Sequence, residues 1–176
     1  MKIAKLLLIA VLVTTFVSCN NDDDNNPPPQ NNADLILGNW TGTGVDYSGT
    51  TVTEFLGQTI TADFVGESFD HNYTLEVTEN PNELTSGGTY SIELTTTIEG
   101  QSVTETVTGL TFLETGTWSI DGDQITVTAN GETNTATIEE LTETTLRISA
   151  TQTEDLSQQG ATITTTVTAV GTYTRQ

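Results

Sequence analysis

From Ala33 onward, apolar and polar side chains alternate with a period of two. Phe69, His71, Tyr73, Leu75 and Val77 take one parity while Asp70, Asn72, Thr74, Glu76 and Thr78 take the other, the signature of a strand with one face buried and one wet. Tyr90, Ile92, Leu94 and Ile98 repeat the pattern, as do Ile125, Val127 and Ala129, then Leu146, Ile148 and Ala150. Turn residues separate the runs: Asn80-Pro81-Asn82, Ser86-Gly87-Gly88, Glu99-Gly100, Asp121-Gly122 and Asn130-Gly131. Asp-Gly and Asn-Gly favour the positive φ angles of type I′ hairpins, so Thr117 to Ile120, Gln124 to Ala129 and Glu132 to Ile138 are expected to form a three-stranded antiparallel meander. The pattern predicts eight to ten strands with short loops and no crossover helix. That is an all-β fold, an antiparallel barrel or a β-sandwich, and the up-and-down order favours the barrel.

The first 32 residues follow a different pattern. Lys2 and Lys5 precede an apolar run from Leu6 to Val17, and a helix over that run covers roughly 18 Å against a bilayer core of about 30 Å, too short to span. A basic start, a short apolar segment and a small residue before a cysteine form a secretory signal, here residues 1–18. Phe16-Val17-Ser18-Cys19 resembles the lipobox of bacterial lipoproteins. The resemblance implies cleavage before Cys19, lipidation of its sulfur and amine, and attachment to a membrane through several acyl chains, which hold where a single one does not. Residues 19–32 then form a tether, NNDDDNNPPPQNN after the cysteine, with no apolar side chain to offset the entropy of folding. Asp22-Asp23-Asp24 is similar to the acidic export signals that send some Gram-negative lipoproteins to the outer membrane surface, which implies an outer membrane lipoprotein exposed at the cell surface. The other reading is a charged tether that is simply solvated, which leaves a periplasm-facing lipoprotein equally open.

The remainder, residues 33–176, is long enough for one domain with its own core. It holds no cysteine, so no intrachain disulfide is possible. All 24 acidic residues follow Cys19, against only Arg147 and Arg175. Such a polyanion cannot neutralise phosphates, which excludes nucleic acid as a partner, and its charge favours solubility.

At the head of this domain stands Leu37-Gly38-Asn39-Trp40, a G-x-W pattern. Together with LILGNWTG, the stretches GTWSIDGDQITVT and TATIEELTETTLRIS resemble the lipocalin-like domains of short bacterial lipoproteins in layout from Leu35 to Gln176. The resemblance implies that Trp40 packs at the closed end of a barrel under an arginine from near the last strand. Arg175 suits that place, because it shares the parity of Val167, Ala169 and Tyr173, whereas Arg147 opposes Leu146 and Ile148. Gly38, Trp40 and Arg175 are therefore the expected barrel-end group.

Chemistry is sparse. His71 is the only histidine, no G-x-S-x-G elbow exists to use it, and no His/Cys cluster is available for a metal, so no enzyme activity, metal or cofactor is expected. Glu105, between Val103 and Val107, is the one acid that alternation places inside, unless its strand lies at an edge. A lipocalin-like barrel implies a small apolar ligand, and Phe64, Phe69, His71, Tyr73, Tyr90, Glu105, Phe112, Trp118 and Tyr173 are the candidate cavity lining. The other reading is a barrel filled by its own side chains that works as an interaction module. For the anchor, Cys19→Ala is expected to move the protein from the membrane to the soluble fraction; unchanged fractionation and unchanged metabolic lipid labelling would overturn the assignment.

Overall fold

The computed structural model describes residues 31–158 and 160–176; Cys19, the signal segment and most of the tether lie outside them. A single helical turn, α1 (Asn32–Leu35), leads into nine strands: β1 (Gly38–Phe55), β2 (Gln58–Thr78), β3 (Glu83–Ile98), β4 (Gln101–Leu110), β5 (Gly116–Asp121), β6 (Gln124–Ala129), β7 (Glu132–Leu141), β8 (Thr145–Gln158) and β9 (Ala161–Arg175). All pairings are antiparallel, in the order β2-β1-β9-β8-β7-β6-β5-β3-β4, and a β2–β3 pairing closes the ring. The fold is an up-and-down barrel, not a sandwich, in which eight strands form the ring and β4 hangs from β3.

Three hairpins turn on two residues with positive φ, Leu56-Gly57, Glu99-Gly100 and Asn130-Gly131, the geometry of type I′ turns. At the Asp-Gly site the turn lies one residue later than expected. Asp121 still pairs with Gln124, so Gly122-Asp123 makes the turn, with positive φ at Gly122 alone. Asn31 and Asn32, expected in the tether, belong to the domain: Asn31 caps α1, and the Asn32 amide donates to the Gly122 carbonyl.

The strands differ in length, and that decides the shape. β5 and β6 have six residues each, whereas β1, β2 and β3 have 18, 21 and 16. Only the end holding α1, the start of β1 and the end of β9 is closed all round. β5 joins β3 through just two residue pairs, Glu83 with Thr117 and Leu84 with Gly116. Beyond the short strands, the sheet β4-β3-β2-β1-β9-β8 projects with its inner face open. Its outer face is laced by threonine pairs such as Thr151–Thr168 and Thr153–Thr166, cross-strand contacts that stabilise a wet face.

Arg175 locks the closed end. Its guanidinium carbon lies 4.1 Å from the centre of the buried Trp40 ring, while Nε donates to the Glu143 carbonyl at 2.6 Å and the two Nη groups donate to the carbonyls of Leu37 and Leu35. The Trp40 indole donates to Ile36 O at 2.8 Å. Gly38 has φ +122°, and a Cβ there would stand 2.7 Å from Arg175 Nη1, so only glycine fits. Trp40→Ala is expected to cost about 3–5 kcal/mol and to couple to Arg175→Ala in a double-mutant cycle by about 1 kcal/mol; additive effects in denaturant melts would show that the two do not act as a unit.

Candidate functional site

The middle of the barrel is filled by aromatic side chains. Tyr73 on β2, Tyr90 on β3 and Tyr173 on β9 are buried, with ring centres 5.2 Å apart for Tyr73–Tyr90 and 5.3 Å for Tyr73–Tyr173. The Tyr73 ring crosses Gly42 of β1, where a Cβ would lie 2.0 Å from it, and its hydroxyl donates to Gly44 O at 2.8 Å. Tyr90 shares a short hydrogen bond with the Tyr47 hydroxyl. Trp118 on β5 packs at the closed end and donates to Thr78 O at 2.8 Å. Hydrogen bonds satisfy the polar ends of Tyr73, Tyr90 and Trp118, and the closed half has become core.

Space is found at the side instead. β7 pairs with β8 only from Leu141 to Thr137, and Ser149 is the last β8 residue to join it. Above that point the strands part, leaving an open cleft of about 420 Å³ whose apolar wall includes Phe112, Leu113, Val127, Ala136 and Ala150, with Asn134 and Gln152 among its polar groups. Phe112, on the β4–β5 loop, packs 6.4 Å from Tyr173 and sits against Gly171, where a Cβ would lie 2.7 Å from its ring. The cleft is therefore continuous with the aromatic core.

The other candidates scatter. Phe64 faces inward over Gly49 on the projecting sheet, away from the cleft. Phe69 lies on the outer face with Val65 and Glu67, 37 % exposed, and His71 is exposed too. Both were expected inside. A β-bulge between Phe69 and Asn72, with φ +53° at Asp70, breaks the alternation on which that expectation rested. His71 instead holds Ser68 through a 2.8 Å hydrogen bond, and the Ser68 oxygen accepts from the Val45 N–H of the opposing β1 bulge. Glu105 has inward register but lies exposed on β4 at the edge of the sheet, so it lines no enclosed cavity. Tyr47, Leu113, Ala136 and Ala150 went unrecognised as a group. The alternation that places Val127 and Ala150 inward was readable, but the parting of β7 from β8 was not.

Among the described residues, no three His, Cys, Asp or Glu side chains converge as a metal site would require. Nine antiparallel strands, a closed aromatic-filled end and a partly apolar cleft beside it define a small up-and-down barrel. The family model of the lipocalin-like domain matches residues 36–148, and the chain belongs to that family, whose members are generally non-enzymatic binding proteins. The matched segment ends before β9, so Arg175 lies outside it. No curated protein and no solved structure matches the chain.

Burial pushes the Tyr73 hydroxyl up to about 12 and also raises Tyr90 and Tyr173 well above the ordinary value. Folded-state values above the ordinary 10 mean that this stabilisation is complete below pH 10 and is lost as pH rises from 10 toward 12. Stability is expected to fall there by about 1.4 kcal/mol per pH unit for each tyrosine protonated only in the folded state. Spectrophotometric titration alongside denaturant melts checks this; three tyrosines ionising at 10 with stability unchanged would refute it.

Proposed function

We propose that the protein is a non-enzymatic binding protein, held at the outer membrane by lipid on Cys19, whose lipocalin-like barrel takes a small apolar ligand in the side cleft. The cleft carries this reading. It opens to solvent, its apolar wall runs into the core, and polar side chains including Glu114, Asn134 and Gln152 make up the other half of the lining, where they can orient a ligand. The filled closed half argues against a ligand held deep in the barrel axis. It equally favours a contribution from the outer surfaces, as in an interaction module.

Native mass spectrometry of the full chain bearing Cys19→Ala, incubated with fatty acids, sterols, quinones and haem, tests the reading. One stoichiometric apolar adduct is expected, and Ala150→Phe, which fills the cleft, is expected to abolish it with the fold retained. No adduct, or an adduct indifferent to Ala150→Phe, would overturn the assignment of the cleft.

A further inference from the structure

The ring closes without β4. This ten-residue strand is hydrogen-bonded to β3 alone and ends the strand order, and its residues 101–106 are all exposed. Long exposed edges invite pairing with another chain, and proteins usually block them with charged side chains, proline, a bulge or a covering element. The one charge on β4, the inward Glu105, disfavours acidic or uncharged strands but leaves the edge open to a basic one. β4 has no lysine or proline, and its inner side carries Val103, 70 % exposed.

The side chains along this edge form a code. Val103, Glu105 and Val107 stand beside Thr96, Leu94 and Ile92 of β3 and share the inner face. On the outer face, Ser102 and Thr104 already pair with Thr97 and Thr95 at 2.8 and 2.9 Å, showing what a neighbour on the other side would repeat. Among the described residues Glu105 has no cation to meet: Arg175 is committed to Trp40 and Arg147 lies 3.1 Å from Glu139.

We propose that β4 is a docking edge for an extended segment of another protein that adds as a strand, with valine-like side chains on either side of a lysine or arginine on its inner face and threonine or serine on its outer face. Backbone hydrogen bonds supply the attachment, and alternate side chains supply the selection. The basic residue meets Glu105, and the apolar pair extends the row of Val103 and Val107. A second copy of this chain is a poor occupant, because a β4–β4 pairing brings two Glu105 carboxylates together between two strongly acidic bodies. This site is separate from the side cleft.

The capped peptide Thr-Val-Thr-Lys-Thr-Val-Thr, with a counterpart bearing glutamate for lysine, is the probe. Titrated into the full chain, the lysine peptide is expected to bind one to one and to slow amide hydrogen exchange over residues 101–108. Glu105→Lys sits on an exposed position that leaves folding intact, and it is expected to reverse the preference to the glutamate peptide, by about tenfold in each direction. Binding without slowed exchange on β4, a preference unmoved by Glu105→Lys, no binding, or a dimer of the chain protected along β4 would each overturn the proposal. None of these outcomes bears on the Ala150→Phe adduct measurement, so the two readings fail independently.

Discussion

One arginine holds the first and last elements of the barrel together. Arg175 lies over Trp40 and donates to three carbonyls, those of Leu35 at the end of α1, Leu37 just after it and Glu143 in the loop before β8. With no disulfide available, ring closure between β1 and β9 depends on packing and on this cluster. The guanidinium fits because its flat fork satisfies several acceptors while one face stays on the indole. It would not fit over a side chain at residue 38, which ties the whole arrangement to a glycine.

From that closed end the architecture follows from strand length. Six residues of β5 and β6 are enough to shut the ring over Trp40, Trp118 and the tyrosine layer, and no more. The neighbouring strands continue two or three times as far, so residues that alternation points inward emerge into an open trough. Phe55, Ile60, Ile98, Val103 and Leu156 are exposed for that reason. The outer face sets threonine pairs and carboxylates against that apolar inner surface on a strongly acidic body.

Two kinds of recognition fit this shape, and they use different physics. In the proposed reading the side cleft removes apolar surface of its ligand from water, so it would select by size and hydrophobicity. The β4 edge presents backbone donors and acceptors in register, so what it selects is an extended chain, with Glu105 choosing the sign of its charge. The β4 edge lies away from the filled end and the cleft opens beside it; within that end the Trp40, Tyr73 and Trp118 side chains donate to backbone carbonyls.

Alternation and Asn-Gly and Glu-Gly turns were enough to determine an all-β fold and most strand positions and to favour an up-and-down barrel over a sandwich, because these depend on local periodicity and turn chemistry. The arginine over Trp40 was implied by the resemblance that the G-x-W start carries, and parity chose Arg175 for it. The site was legible only in part. Tyr73, Tyr90, Tyr173 and Phe112 were recognisable as inward aromatics, but whether they line a cavity or fill it depends on how far opposite strands extend. His71 and Phe69 were misplaced because a bulge inserts a residue without changing the look of the sequence, and every position beyond it switches face. The parting of β7 from β8 and the bare edge of β4 were decided by tertiary structure alone, since a strand's partners are set by the closure of the whole ring and leave no mark on its own residues.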